Sequence, residues 1–265
     1  MLLSEPQPVQ GDIRFSVTNV PVRISIWAWP LYAFLGWDLI NLFPDNGTYK
    51  LMRLAMWTSA VAVSILLHEL GHAWMFRRFG ISARIVLHHM GGVAIPDGPS
   101  SYREIDSKEH IMVSAAGPAI QLVLAGSVFL IGKVINPDWM PSNPGVMTEP
   151  DRFPFLASML HDLFRINLWW ALFNLLPIYP LDGGQIAREV FLMRNSTTGI
   201  RNSLMLSVAT AVLTAVIVMQ GSQLMGIMVL LFAFNSYQTL QQYTGGGSGG
   251  GGYGGGGYGG GNNWR

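Results

Sequence analysis

The sequence AVAVSILLHELGHAWMF occupies residues 60–76 and combines apolar character with three ionisable side chains. The stretch is apolar enough to cross a membrane, yet it contains the pattern His68-Glu69-x-x-His72. Ionisable side chains are costly inside a bilayer and are therefore candidates for a functional site. On a helix, the pattern H-E-x-x-H is a zinc-binding signature. We therefore ask what a metal site inside a membrane requires of the remaining sequence.

The composition of the 265-residue chain indicates a membrane protein with several spans. Hydrophobic residues make up 50% of the chain and charged residues only 12%, whereas soluble domains are about one quarter charged. The net charge of +1 argues against a nucleic-acid-binding protein, which would carry a concentrated basic face. Since the chain has no cysteine, any zinc ion would be bound by histidine and carboxylate.

Six apolar segments are predicted to be transmembrane helices, because a span needs about 20 mainly apolar residues. The polar residues 1–23 are expected to form a short extended segment on the membrane surface and not a cleavable signal peptide. The Gly/Tyr-rich residues 244–265 are expected to be a disordered tail. The intervening domain, residues 24–243, contains the predicted spans 24–43, 51–79, 111–135, 156–176, 204–219 and 224–237.

Residues 81–98, ISARIVLHHMGGVAIPDG, differ from the spans on either side. They are rich in strand-forming residues, and Gly91-Gly92 indicates a bend or the close approach of another backbone. We therefore predict an all-α polytopic membrane protein with one or two short membrane-associated strands between its second and third helices. His88 and His89 could be additional metal ligands, but we favour polar strand residues, because the predicted site already has a full ligand set.

The site needs a third protein ligand besides His68 and His72, which lie on one face of a helix. Asp182 is our candidate, because Pro177 and Pro180 interrupt the fourth span just before it. Irregular chain at membrane depth is tolerated only inside the protein or beside water. Other acidic residues are poorer candidates because they are expected at an interface or beyond the membrane boundary: Asp38, Glu109 and Glu189.

The same residues suggest a hydrolytic mechanism. Zinc would lower the pKa of a water molecule and polarise a scissile carbonyl. Glu69 is offset around the helix from His68, so that it could accept the water proton and pass it to the leaving amine. Asn174 could donate a hydrogen bond to the substrate carbonyl or to the developing oxyanion. A hydrogen bond between helices is an equally good interpretation of Asn174.

Two distant motifs carry a resemblance to a known family. HELGH at residues 68–72 and NLLPIYPLDG at residues 174–183 closely resemble the motifs of the site-2 protease family of intramembrane zinc metalloproteases, peptidase family M50. Ala-Gly-Pro at residues 116–118 and Gly-Gly at residues 91–92 are also similar to that family. Many members carry Asn after Ala-Gly-Pro, where the corresponding polar residue of this chain is Gln121.

The resemblance implies a compact member without a PDZ or CBS domain that cleaves transmembrane protein substrates within the lipid bilayer. Such substrates include membrane-bound transcription factors and anti-sigma factors in regulated intramembrane proteolysis. The resemblance also implies one Zn²⁺ per chain and a role for each site residue. The implied metal ligands are His68, His72 and Asp182, the implied acid/base is Glu69, and Asn174 assists in catalysis and substrate binding.

The resemblance gives Gly91 and Gly92 a role as well. The strand that contains them would receive an unwound substrate as an added strand, which is a known mode of peptide recognition.

The basic residues predict the orientation of the chain in the cell membrane. They are concentrated before the first span, between spans two and three, and between spans four and five. The positive-inside rule places these segments in the cytoplasm. Both termini and the zinc site would then lie toward the cytoplasmic side, with HELGH and LDGG at the same depth.

Three alternatives remain open from the sequence. The first is a membrane zinc protease of another type, with a distal glutamate ligand. The others are a catalytically inactive, chaperone-like relative and a metal transporter. The intact Glu69 argues against an inactive relative, and the lack of internal repeats argues against a transporter.

Overall fold

A computed structural model of the chain describes residues 7–36, 47–89, 91–135 and 154–245. This part of the chain forms seven α-helices, a short 3-10 helix and four β-strands. In chain order they are β1 (Ile13–Val17), β2 (Val20–Ile24), α1 (Ala28–Phe34), α2 (Gly47–Arg78), β3 (Ala83–His88), β4 (Gly91–Pro96), the 3-10 helix (Pro99–Tyr102), α3 (Ser107–Ile135), α4 (Pro154–Asn174), α5 (Asp182–Arg194), α6 (Gly199–Met219) and α7 (Gln223–Gly245).

Three described helices are long and apolar enough to cross a membrane, in agreement with a multi-pass protein. The three segments are Lys50–Arg78, Ser107–Ile135 and Gly199–Met219. They contain predicted spans three and five and all of span two except Phe79. The predicted spans four and six coincide with α4 and α7, but the count of six spans stays a prediction. Because α7 extends to Gly245, it passes the predicted start of the tail. Residues 246–265 lie outside the described residues.

The first predicted span, residues 24–43, is wrong at its N-terminal end. Ile24 is the last residue of β2, and α1 has only seven residues. Seven residues of α-helix extend about 10 Å, which is too short to cross a bilayer. Pro30 lies in the first turn of α1, where a missing amide proton costs no intrahelical hydrogen bond. Residues 37–46, which include Asp38, lie outside the described residues.

The N-terminal segment forms a β-hairpin, which corrects the prediction of an extended surface segment. β1 and β2 pair antiparallel, and Thr18 and Asn19 at the turn have φ values of 47° and 65°, as in two-residue hairpin turns. β2 pairs parallel with β3, and β3 pairs antiparallel with β4, in the order β1-β2-β3-β4. The fold is therefore mostly helical, as predicted, but it is not all-α: a four-stranded mixed sheet takes the place of the one or two predicted strands. The strands predicted in residues 81–98 are confirmed as half of this sheet.

One face of the sheet packs on α2 through alternate apolar side chains. Val20, Val22 and Ile24 of β2 and Ile85 and Leu87 of β3 are at most 7% exposed. They belong to one apolar cluster with residues of α2. Because residues i and i+2 of a strand point to the same side, this alternation fixes which face is buried. The packing brings β4 against the HELGH segment of α2.

The helices α2 and α4 are joined by buried polar contacts that the sequence analysis did not predict. Arg53 donates two hydrogen bonds to Asp162, at 2.5 and 2.8 Å, and both side chains are 4% exposed. Nearer the HELGH segment, Asn167 donates a hydrogen bond to Ser64 Oγ at 2.9 Å. A buried charge is costly unless it is paired with good geometry. These contacts therefore favour one relative position of the two helices.

Candidate metal centre

His68 and His72 lie one turn apart on the buried side of α2, as their spacing predicts. Their Nε2 atoms are 3.0 Å apart. Small residues allow α3 to approach closely on this side. A Cβ atom on Gly71 would lie 2.7 Å from the Ala116 carbonyl oxygen, and one on Gly117 would lie 2.9 Å from His68 Cε1. The Ala-Gly-Pro sequence therefore forms a wall of the site without filling it.

Asp182 reaches the two histidines because the chain breaks between α4 and α5. Residues 175–181 are not helical. Asp182 Oδ2 lies 3.1 Å from His68 Nε2, and Asp182 Oδ1 lies 3.5 Å from His72 Nε2. One detail differs from the sequence prediction: Asp182 is the first residue of α5 and does not lie on irregular backbone. After it, Gly184 lets α5 fold back, since a Cβ there would lie 2.6 Å from the Ile178 carbonyl.

The three side chains direct electron pairs toward one another, which is unfavourable without a cation. His72 Nδ1 lies 2.7 Å from the Val113 carbonyl oxygen, which can only accept, so that Nδ1 carries the ring proton and Nε2 of the neutral ring is an acceptor. Asp182 Oδ2, although close to His68, is buried and makes no hydrogen bond of normal geometry to any residue that the structure describes. Buried acceptors without donors are costly.

A metal ion fits this donor set. One ligand atom from each of His68, His72 and Asp182 lies within 4.8 Å of the others. Two imidazole nitrogens and one carboxylate oxygen are a known set for catalytic zinc, which keeps a fourth position open for water or substrate. The structure thus brings together the three residues that the sequence analysis proposed as ligands. Their role as zinc ligands stays a prediction.

Glu69 lies beside the metal-binding group, under the first residues of β4. The carboxylate is buried and accepts a hydrogen bond from the Ala94 backbone amide. A Cβ atom on Gly92 would lie 2.6 Å from Glu69 Cγ and 2.8 Å from its Oε1. Only glycine allows this close approach of strand and side chain. Glu69 is thus adjacent to the candidate ligands, as a general base requires.

Gly91 begins β4 and is held by a tyrosine that the sequence analysis did not single out. Its φ of 119° lies in a region that glycine adopts without steric cost. Its carbonyl accepts a hydrogen bond from the Tyr32 hydroxyl at 2.9 Å, and Tyr32 is fully buried. In the sequence, Tyr32 stands among several aromatic residues of an apolar segment, and no signal distinguishes it from them.

Asn174 is the last residue of α4, and its amide donates a hydrogen bond to the Trp170 carbonyl at 3.0 Å. This bond lies within its own helix, so it supports neither of the two interpretations offered from the sequence. The catalytic and substrate-binding role of Asn174 therefore stays a prediction.

The other candidate ligands lie outside the metal-binding group. His88 is buried in β3, in agreement with its interpretation as a strand residue. His89 is an exposed turn residue after the end of β3, and its ring contacts that of His88 edge to face at 5.5 Å. Glu109 pairs with Arg103 at 2.8 Å, and Glu189 pairs with its neighbour Arg188 at 3.1 Å. Within the described residues, the group of His68, His72 and Asp182 is the one whose ligand atoms converge.

Comparison with known proteins finds one family whose sequence model covers the candidate ligands and Glu69. The sequence model of peptidase family M50 matches residues 56–150 and 154–219. Zinc metalloprotease MJ0392 of Methanocaldococcus jannaschii is 24% identical over 178 residues, which are 66% of this chain and 44% of that protein. A candidate zinc metalloprotease of Mycobacterium tuberculosis, Rip3, is 29% identical over 217 residues, which are 80% of this chain and 50% of that protein.

Among solved structures, the site-2 protease from Methanocaldococcus jannaschii has a similar fold. The TM-score is 0.52 at 24% sequence identity, and the match covers 87% of this chain and 94% of that chain. The chain spans about half the length of the curated relatives that it matches. The family match extends over most of the chain and includes both the HELGH segment of α2 and Asp182. The chain therefore belongs to peptidase family M50.

Proposed function

We propose that this protein is a zinc-dependent intramembrane endopeptidase that hydrolyses peptide bonds within or near transmembrane segments of other membrane proteins. One observation carries the proposal. The group of His68, His72 and Asp182 is buried, and both histidines and the neighbouring Glu69 belong to a helix that is long and apolar enough to cross a membrane. Substrates of this kind include the membrane-bound transcription factors and anti-sigma factors of regulated intramembrane proteolysis.

Each residue of the site has a distinct task in this proposal. His68, His72 and Asp182 would hold one zinc ion per chain. When bound, zinc would polarise the substrate carbonyl and lower the pKa of a water molecule. Glu69 would take a proton from the attacking water and deliver it to the nitrogen of the leaving amine. Asn174 would donate a hydrogen bond to the substrate carbonyl.

Metal removal tests the proposal directly. Full-length protein in lipid vesicles should cleave a reporter with one transmembrane segment, and the membrane-permeant chelator 1,10-phenanthroline should reduce cleavage to background. Zinc added back at one equivalent per chain should restore the activity, because the ligands remain. Cleavage that persists after complete removal of the metal would contradict the proposal. Zinc-loaded protein that cleaves no membrane substrate would favour the chaperone-like or transporter alternatives.

The orientation of the site is the second part of the proposal. Arg77 and Arg78 end α2 about one turn after the HELGH segment, and Arg194 ends α5. The positive-inside rule therefore supports a metal centre and both termini toward the cytoplasm. In the same assay, the membrane-impermeant chelator EDTA should inhibit inside-out vesicles and spare right-side-out ones. The reverse pattern would contradict the orientation but not the zinc chemistry.

We further propose that the free edge of β4 binds the substrate. Among the residues that the structure describes, β4 is the last strand of the sheet and is paired with β3 on one side. An edge strand presents unpaired amides and carbonyls, to which an extended peptide can be added as a further strand. Gly92 brings this edge against Glu69, and Gly91 precedes it at the start of the strand. Strand pairing would also replace hydrogen bonds that a transmembrane helix loses when it unwinds.

The substitution Gly92→Ala should reduce cleavage by about 10-fold to 100-fold with zinc still bound. The added Cβ would lie 2.6 Å from Glu69 Cγ, so that strand and carboxylate must separate, and misplacement by about 1 Å can cost 100-fold in rate. The measurement is the cleavage rate of the reporter together with metal content. The matched control is Gly126→Ala in α3, where the added Cβ meets nothing within 4 Å. Equal rates for both variants would contradict the role of Gly92.

A further inference from the structure

Gln121 is a buried side chain of α3 that the proposed mechanism does not use. It is fully inaccessible to solvent and lies three residues after Pro118 of the Ala-Gly-Pro sequence. Its Oε1 is 2.9 Å from His68 Nδ1, and its Nε2 is 3.4 Å from the Ser64 carbonyl oxygen. The amide of Gln121 thus connects two residues of α2, and one of them is a candidate metal ligand.

The contacts of Gln121 determine which way its amide points. The Ser64 carbonyl can only accept a hydrogen bond, so that the NH₂ group of Gln121 must face it. The amide oxygen then faces His68 Nδ1 and can only accept, so that Nδ1 carries the proton of the neutral ring. His68 Nε2 therefore keeps its electron pair, and this atom lies 3.1 Å from Asp182. The hydrogen bond at one ring nitrogen sets the role of the other.

The two histidines are held in different ways. His72 Nδ1 donates to the backbone carbonyl of Val113, which remains in place whatever side chain stands at that position. His68 depends on the side chain of Gln121, which a substitution can remove. A second buried amide, that of Asn167, donates to Ser64 Oγ at 2.9 Å, but its described hydrogen bonds include none to His68 or His72. Gln121 and Asn167 are therefore two buried amides that both bond to Ser64, of which only Gln121 also bonds to a candidate ligand.

We propose that Gln121 is a positioning residue of the metal centre. Its amide fixes the tautomer and the ring orientation of His68 and thereby raises the affinity of the site for zinc. Partners of this kind typically change metal affinity or activity by 10-fold to 100-fold. Because the amide is neutral, it does so without adding a charge to the site. The inference rests on the proposed ligand set of His68, His72 and Asp182.

The test measures zinc affinity and does not depend on catalysis. Full-length protein in detergent competes for zinc with a chromophoric chelator of known affinity. Gln121→Met, which has a similar volume but only a weak thioether acceptor, should bind zinc about 10-fold to 100-fold more weakly than the wild type. Gln121→Glu restores an acceptor at the same reach and should recover most of that loss. A changed visible spectrum of the Co²⁺-substituted Gln121→Met protein would report altered ligand geometry.

The control is Asn167→Leu, which removes a buried amide that donates a hydrogen bond to Ser64 Oγ and none to either histidine. It should lower the thermal stability of the metal-free protein and leave the zinc affinity unchanged. The inference is overturned if Gln121→Met binds zinc as tightly as the wild type. It is also overturned if Asn167→Leu weakens zinc binding equally, since Gln121 would then act through packing alone.

A further variant separates this inference from the ligand assignment. His68→Ala should lose most of its zinc affinity. If it does so while Gln121→Met does not, only the role of Gln121 is wrong. If His68→Ala binds zinc normally, the ligand set is wrong and the inference fails with it.

Discussion

The substitution Glu69→Gln is expected to abolish peptide-bond cleavage while the zinc ion stays bound. Glutamine has nearly the shape of glutamate, and its amide oxygen can still accept the hydrogen bond from the Ala94 backbone. It cannot take up a proton from water near neutral pH. Because general acid–base catalysis typically contributes about 100-fold to 10,000-fold, we expect the rate to fall by at least about 100-fold.

The experiment compares reporter cleavage and metal content in the same protein preparation. The matched control is Glu104→Gln, which makes the same change at an exposed residue and should cleave like the wild type. Wild-type cleavage by Glu69→Gln would show that another group acts as the base. Loss of zinc from Glu69→Gln would instead mean that Glu69 contributes to metal binding.

The candidate residues of the proposed site could be predicted from the sequence because the argument for each of them is local. A spacing of four residues places His68 and His72 on one face of any helix. The position of Asp182 follows from two prolines that end a span and from charges that set the depth of both segments. None of these arguments requires knowledge of which helices pack together.

The sheet was only half predicted, because its pairing is not local. β3 and β4 are neighbours in the chain and are rich in strand formers. β2 pairs with β3 although α2 lies between them in the sequence, and Val22 stands opposite Ile85. No local pattern in the sequence indicates this partner. The polar residues and Pro21 are typical of a segment on the membrane surface, and only the pairing of β2 with β3 shows that this segment belongs to the sheet.

Contacts between helices were the other features that the sequence could not supply. Arg53 and Asp162 are 109 residues apart, and each residue alone fits several locations near a membrane surface. In the sequence, Gln121 stands out only as a departure from the family pattern, and its contact with His68 depends on the close approach of α3 to α2. Such pairs are decided by packing, and the sequence of either helix alone does not specify them.

The substitution Asp182→Ala is expected to remove most of the bound zinc and, with it, the activity. Two histidines on one helix would remain, without the carboxylate that completes the set. Removal of a ligand should cost more than the 10-fold to 100-fold in affinity that residues behind the ligands typically contribute. Metal content after dialysis measures the loss, and Asp97→Ala is the matched control because that carboxylate is 55% exposed. Unchanged metal content would remove Asp182 from the site.

The same variant also tests whether the metal connects α2 to α5. A ligand that binds only the folded protein stabilises it by about 2.7 kcal/mol at 100 times its dissociation constant. Added zinc should therefore raise the melting temperature of the wild type, because one ion holds residues of both helices. The melting temperature of Asp182→Ala should hardly respond at the same zinc concentration, since its remaining ligands lie on α2 alone. An equal rise in both proteins would mean that zinc stabilises the fold through other residues, whatever the effect of Asp182→Ala on cleavage.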